Sequence, residues 1–195
     1  MVVKIELEVR MAVKIVRVLN TNAVVSSDQE GRELIITGAG IGFKKKKGEN
    51  LDEALADKTY YLESVDDSRR LQEVVKEISE EYLEIVSRIV KTAREEGLKV
   101  RDSLYVTLTD HINSAVDRYR ENIALKNMMK LEIRKFYPKE YEIGLRAVQW
   151  IQEQNDENLG EDEAAFIAMH SVSAELGSGS NVDVNKITKL INAVL

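Results

Sequence analysis

The sequence predicts a two-domain protein in which a small all-β domain, a four-stranded antiparallel sheet, precedes an all-α helical bundle. Between about residues 13 and 46, hydrophobic residues alternate with polar ones in short runs separated by turn residues. After Asp66 they recur instead at steps of three and four, which is the period of an α-helix. No apolar run approaches the roughly 18 residues of a membrane helix, so no membrane insertion is expected.

The β part contains four short runs typical of strands, joined by turns at 20–22 and 28–31. The predicted strands are residues 13–19, 23–27, 32–37 and 41–44. So small a sheet buries little apolar surface by itself. We therefore expect it to dimerise.

The helical part begins with one long apolar stripe from Leu71 to Ala93, and Gly97 suits the residue that ends a helix. The single proline, Pro138, ends the third helix because it cannot continue one and restricts the residue before it. The helices predicted after the first are residues 103–122, 126–136, 140–154, 161–176 and 184–195.

Composition and charge separate the two parts. The net charge is −6, but residues 11–58 carry eight Lys and Arg against seven Asp and Glu, whereas residues 59–195 carry 18 against 25. Only the N-terminal part is therefore expected to approach nucleic acid. The absence of cysteine excludes disulfides and thiol chemistry and fits a cytoplasmic protein. The first ten residues contain two glutamates and lack the apolar core of a signal peptide.

The run from Thr37 to Gly48 places three alternate glycines before Phe43 and four consecutive lysines. Alternate glycines allow a sharp turn and the close approach of another backbone. An exposed phenylalanine beside lysines can stack on a base and pair with phosphates, which points to nucleic acid. A dinucleotide site is excluded because no helix follows the glycines to hold a pyrophosphate.

The only two histidines, His111 and His170, lie on the apolar stripes of their predicted helices. Such histidines are often structural. They could also act as acid and base in RNA cleavage, hold a metal with Asp110 and Asp162, or accept a phosphoryl group. The spacing leaves these alternatives open.

Several longer motifs resemble the bacterial antiterminators of the BglG/SacY family. Residues 16–24, 38–46 and 49–52 resemble its co-antiterminator RNA-binding domain. Residues 103–113, 136–144 and 161–170 resemble its first regulation domain of the sugar phosphotransferase system (PTS). The resemblance implies an extension or cloning remnant at 1–10, an RNA-binding domain at 11–65, a regulation domain at 66–178 and a linker at 179–195, with the second regulation domain absent.

The resemblance implies a homodimeric regulator, not an enzyme, without cofactor or metal. It would bind an RNA hairpin in the leader of a sugar operon and prevent a terminator from forming. Sugar permeases of the PTS, with the phosphocarrier HPr as a further donor, would phosphorylate His111 and His170, and the added charge would weaken the dimer. An RNA-processing enzyme that uses the two histidines as acid and base is the alternative.

Residue by residue, the resemblance assigns RNA contacts to Arg17, Asn22, Gly38 and Phe43, with Asn20 and Lys44 close by. Asn can pair with base edges, Phe can stack, and Arg can contact phosphate or a base edge. The chain departs from the family at Ala39, where a basic residue usually stands, so one RNA contact is expected to be lost.

Overall fold

The computed structural model describes residues 14–28, 30–78 and 80–176, which form two compact units divided between Leu83 and Glu84. The first unit holds the strands and the first helix. Its elements are β1 (Ile15–Asn20), β2 (Ala23–Ser27), β3 (Glu33–Thr37), a 3-10 turn (Glu53–Leu55), β4 (Lys58–Tyr60) and α1 (Val65–Glu77).

The four strands form one antiparallel sheet in the order β1-β2-β3-β4. Val24 pairs with Ile36, and both join a buried cluster with Ile41 and Leu51 from the connection between β3 and β4. Val25 and Ile35, next along their strands, point to the opposite face and are fully buried. Helix α1 packs against β1 and β2.

The sheet therefore has buried residues on both faces within one chain, because α1 and the connection between β3 and β4 pack on it. The sequence pattern does not predict that α1 packs on the sheet, because it assigns residues from 66 onward to the helical domain. A homodimer stays a prediction and needs grounds other than an uncovered sheet.

The prediction of four strands is confirmed, but the fourth strand is misplaced. Residues 41–44 form successive turns, with the Phe43 N–H donating to the Gly40 carbonyl (2.9 Å). The strand that pairs with β3 is β4, where Ile35 lies opposite Tyr60. Positive φ angles at Gly40 and Lys44 break the extended path that a strand at 41–44 would need.

The second unit is helical, as predicted. Its elements are α2 (Glu80–Glu95, which begins before the boundary), α3 (Ser103–Arg120), α4 (Lys130–Phe136), α5 (Pro138–Asn155) and α6 (Gly160–Leu176). Helices α5 and α6 pack together, and α6 also packs on α3 and α4. Gly97, with φ of 87°, ends α2 as expected. Pro138 ends α4 at Phe136 and also begins α5, since a proline fits the first helical position.

Two helix predictions need correction. The single long helix over 71–93 is two helices, because the backbone at Ile78 is extended and ends α1. The apolar period continues through both helices, so it gives no sign of the break. The helix expected from residue 126 begins at Lys130, because the Asn127 side chain accepts the N–H of Met129 (2.9 Å) and holds a turn there.

The predicted domain boundaries stay predictions, and the helix expected over 184–195 lies outside the described residues, as do residues 1–10. No helix among the described residues has the length and hydropathy to cross a membrane.

Candidate functional sites

The glycine-rich loop after β3 is held on the sheet by backbone hydrogen bonds to the turn between β1 and β2. The Gly38 N–H donates to the Asn22 carbonyl (3.0 Å), and the Gly42 N–H donates to the Thr21 carbonyl (2.9 Å). Ile41 between them is fully buried in the sheet core. The loop is thus fixed at both of its outer glycines and at its centre.

The glycines are required by close backbone approaches, as the alternation predicted. A Cβ on Gly38 would collide with the Leu55 carbonyl oxygen, and one on Gly42 would collide with that of Asn20. Gly40 has open space but a φ of 74°. Gly38 is buried, so the structure gives it a part in shaping the loop beneath the surface.

Beyond Ile41 the loop presents its aromatic and basic residues to solvent. Phe43 is 58% exposed, so it is not a core residue. Lys44 adopts a φ of 56°, and its Nζ lies 5.2 Å from the centre of the Phe43 ring. Lys46 and Lys47 are exposed beside them. An exposed ring next to several ammonium groups can stack on an unpaired base while the lysines contact the phosphates. Ala39 is also exposed, on the turn between the glycines.

The two asparagines at the β1–β2 turn are engaged inside the protein. Asn20 Nδ2 donates to the Val75 carbonyl in α1 (2.7 Å), and its Oδ1 accepts the Asn22 N–H (2.8 Å). Asn22 Oδ1 accepts the Gly40 N–H (2.9 Å). Within the described chain, Asn22 Nδ2 makes no hydrogen bond, so that amide can donate to a base edge. Asn20 mainly joins the turn to α1.

Arg17 lies apart from this loop. A bulge between Ile15 and Arg17 shifts the register, so that Arg17 pairs with Val25 and leaves the face of Ile15 and Ile41. Its guanidinium lies 3.8 Å from Glu33, and both side chains are exposed. The structure brings Asn22, Gly38, Phe43 and Lys44 to one loop cluster and places Arg17 on the other face of the sheet.

In the second unit, the two histidines predicted from separate helices meet. His111 on α3 and His170 on α6 have ring centres 4.7 Å apart, and Phe166 packs 5.9 Å from the His111 ring. Both histidines are half-buried, as expected of positions near apolar stripes.

A buried carboxylate orients this pair. His111 Nε2 donates to Glu163 Oε2 (3.0 Å), and Arg118 donates to Glu163 Oε1 (2.9 Å). Burial acts to raise the pKa of Glu163, but the hydrogen bonds from His111 and Arg118 outweigh it and hold that pKa below its usual value. Glu163 is therefore ionised, so the His111 Nε2 that faces it carries a proton, and Nδ1 is the ring nitrogen turned away from the carboxylate.

Burial, followed by the neighbouring His111, lowers the pKa of His170 to about 4. At neutral pH the His170 ring is uncharged and keeps one nitrogen lone pair, which a nucleophile needs.

The metal alternative has no support in the part of the chain that the structure describes, which contains no group of three His, Cys, Asp or Glu side chains placed to hold a metal. Asp162, proposed as a ligand, accepts the Asn127 N–H (3.2 Å) and lies 3.3 Å from Lys130 Nζ.

The sequence analysis missed Arg118 and Glu163 as parts of the histidine site. Their spacing contains the signal: Arg118 follows His111 by seven residues, and Glu163 precedes His170 by seven. Seven residues are about two turns, which returns a side chain to the same helix face.

Comparison with known proteins agrees with this arrangement. The CAT RNA binding domain family matches residues 13–69, and the PRD domain family matches residues 72–174. A beta-glucoside operon antiterminator of Dickeya chrysanthemi is 37% identical over 183 residues, which cover 93% of this chain and 64% of that protein. The transcription antiterminator LicT of Bacillus subtilis (strain 168) is 36% identical over 183 residues, covering 93% and 66% respectively.

Among solved structures, the crystal structure of GlcT CAT-PRDI superposes with a TM-score of 0.68 at 26% identity and covers 85% of this chain and 99% of that one. The chain spans 64% and 66% of the lengths of the two relatives named above.

Proposed function

Because this chain belongs to the family of regulators that join a CAT RNA binding domain to a PRD domain, we propose that it is a transcription antiterminator. It binds an RNA hairpin in the leader of a sugar-utilisation operon, and the bound hairpin excludes an overlapping terminator. Since the partner is a nascent transcript, the protein acts in the bacterial cytoplasm.

The observation that carries this proposal is the exposed ring of Phe43 on a loop whose backbone is fixed by Asn22, Gly38 and Gly42. A fixed loop presents the ring and the lysines without an ordering cost on binding. Phe43 stacks on an unpaired base of the hairpin, Asn22 Nδ2 reads a base edge, and Lys44 to Lys47 contact phosphates.

The second part of the proposal is regulation through the histidines. His111 and His170 accept a phosphoryl group from a sugar permease of the PTS, with HPr as a second donor. The proposal is supported by the adjacency of the two rings, by the uncharged His170 and by the ionised Glu163 that orients His111.

The active form is a homodimer. One copy offers a single aromatic side chain and a short lysine run, and two copies on one hairpin raise the affinity through the effective concentration of the second loop. A dianionic phosphate added to a part of the chain that is already net acidic disfavours the dimer and so releases the RNA.

The histidine pair alone is also compatible with an RNA-processing enzyme. The relatives favour the regulator, since they are named antiterminators.

A gel-shift assay with leader hairpins from several sugar operons tests the RNA-binding part of the proposal. Phe43→Ala should lower the affinity for the cognate hairpin by about 1–3 kcal/mol, the range for loss of one stacking contact. The thermal midpoint should not change, because the ring is exposed. Phe43→Tyr, which keeps a stacking surface, is the control. Equal binding by Phe43→Ala and wild type would contradict this interface.

The regulatory half is tested with phosphoenolpyruvate, the general PTS enzymes and a permease. We expect the wild-type chain to be labelled and a His111→Ala/His170→Ala variant to remain unlabelled. The labelled protein should bind RNA more weakly. Absence of label on both histidines, or cleavage of the hairpin, would contradict the proposal.

A further inference from the structure

Residues 118–135, which join α3 to α4 and form most of α4, differ from the rest of the second unit in charge and exposure. They contain six Lys and Arg against two Asp and Glu, in a chain whose residues 59–195 are net acidic. Arg118, Arg120 and Lys130 form ion pairs with carboxylates of residues 157–163. The basic side chains left for a partner are Lys126, Arg134 and Lys135. Apolar side chains stand among these charges without cover: Met128 is 88% exposed and Leu131 is 73% exposed, and Ile123 and Leu125 are also exposed. Monomeric proteins seldom expose such a group of apolar side chains unless a partner binds there.

Buried residues anchor the segment to the rest of the second unit. Buried Asn127 donates its N–H to Asp162 (3.2 Å) and its Nδ2 to Met169 Sδ (3.5 Å). Ile133 is buried in a cluster with Tyr137 and Tyr141. These anchors fix the inner side of the segment and leave Met128 and Leu131 on the outside.

The same anchors connect the segment to the histidine site. Asp162 and Met169, which hold Asn127, immediately precede Glu163 and His170 on α6. At the start of the segment, Arg118 donates to Glu163, which accepts the hydrogen bond of His111. The segment with the exposed side chains is therefore hydrogen-bonded to α6, the helix that carries Glu163 and His170.

We propose that the exposed side chains of Ile123, Leu125, Met128 and Leu131, with Lys126 and Arg134, form the docking surface for the protein that phosphorylates the histidines, and that this donor presents an acidic face with an apolar centre. The inference rests on the proposed regulation and adds the partner's surface to it. Apolar contacts at the centre hold the complex, and the basic side chains orient the donor.

Charge argues against a second copy of the chain as the occupant. A two-fold dimer through this surface would bring two patches of the same net charge together, which disfavours the contact. An acidic partner removes that repulsion and gains from the same charges.

The test measures phosphoryl transfer from the phosphorylated cytosolic part of a β-glucoside permease at increasing donor concentration. Met128→Ser/Leu131→Ser and Lys126→Glu/Arg134→Glu should each raise the donor concentration for half-maximal rate about tenfold, the loss typical of an interface centre, without changing the saturated rate. Only the charge reversal should also remove the salt dependence of transfer. Lys91→Glu/Lys139→Glu, which reverses two exposed lysines elsewhere, is the matched control and should behave as wild type.

Phosphoramidate, a small phosphoryl donor that needs no docking, separates this inference from the proposed regulation. Docking variants that react with phosphoramidate at the wild-type rate would support a pure docking defect. An equal loss with phosphoramidate would show damage to the histidines and overturn the inference, as would an unchanged donor requirement. A smaller sedimentation coefficient of the unphosphorylated variants would assign the surface to self-association and also overturn it. Wild-type chain that reacts with phosphoramidate but with no protein donor would overturn the proposed regulation itself.

Discussion

At the scale of single residues, one candidate site exposes an apolar side chain and the other buries a charged one. Phe43 is an apolar ring kept in solvent, where it can stack on a base. Glu163 is a carboxylate kept out of solvent, where it needs His111 and Arg118 to remain charged. The exposure of Phe43 fits the proposed stacking on RNA, and the pairing of Glu163 with His111 fits the proposed phosphorylation.

The burial of His170 predicts a pH dependence of stability. Its pKa is about 4 in the folded chain and near its ordinary 6.5 in the unfolded chain. As the pH falls from about 6.5 to about 4, the unfolded chain takes up a proton that the folded chain refuses, so the free energy of unfolding should fall by about 3 kcal/mol from this group. Above pH 7 the group contributes no pH dependence.

Urea denaturation of wild type and His170→Gln at several pH values checks this expectation. The difference in unfolding free energy between the two proteins should change between pH 6.5 and 4 and stay constant above pH 7. A difference that is constant through the acid range would show that His170 titrates alike in both states.

At the scale of elements, the β1–β2 turn, the glycine-rich loop and α1 are joined by hydrogen bonds through Asn20 and Asn22. Asn22 ties the turn to the loop at Gly40, and Asn20 ties the same turn to the last part of α1 at Val75. The presentation of Phe43 thus depends on backbone contacts that lie beneath it.

Gly42→Ala should therefore impair both stability and RNA binding. The new Cβ would collide with the Asn20 carbonyl oxygen, which belongs to the backbone and cannot turn aside. We expect a loss of about 3 kcal/mol in the unfolding free energy of the first unit, the upper end of the usual range for overpacking, because the obstructing atom is backbone. Chemical denaturation followed by circular dichroism measures it.

Gly31→Ala is the control for that substitution. Gly31 has a positive φ of 79°, but a Cβ added there would meet open space. Only the left-handed backbone therefore opposes the substitution, and it should lower the unfolding free energy by about 1 kcal/mol. A similar loss in both variants would mean that backbone conformation, and not the approach of Asn20, makes Gly42 necessary.

At the scale of the whole molecule, charge is divided so that residues 11–58 are almost neutral overall with their lysines concentrated in one run, while the helical part is acidic. The helical part should repel a nucleic acid, so we expect RNA contact to be made by the loop after β3.

This division predicts how RNA affinity responds to salt. Each lysine–phosphate contact contributes about −0.7 to −0.9 to the slope of log affinity against log salt concentration. Lys46→Gln/Lys47→Gln should reduce the magnitude of the slope by about 1.5, whereas Lys91→Gln/Lys139→Gln in the helical part should leave it unchanged. Filter binding between low and moderate salt measures both, and equal slopes in all three proteins would exclude phosphate contacts by the run.

The sequence by itself determined the two-domain order, the sheet of four strands, the exposure of Phe43 and the helical stripes that contain His111 and His170. These follow from local rules: the period of hydrophobic residues, the need for glycine in a sharp turn, and the charge of a short run. The placement of the fourth strand, the break at Ile78 and the bulge that turns Arg17 away depend on pairings between distant segments, which local patterns do not record.

Only the tertiary structure decided which side chains meet. Glu163 lies 52 residues from His111 in the chain, and their hydrogen bond exists because α3 packs on α6. In the same way, α1 packs on β1 and β2, and Asn20, expected near RNA, bonds to Val75. Burial and hydrogen bonding between distant segments are properties of packing, so the sequence could name the two histidines but not the carboxylate that orients one of them.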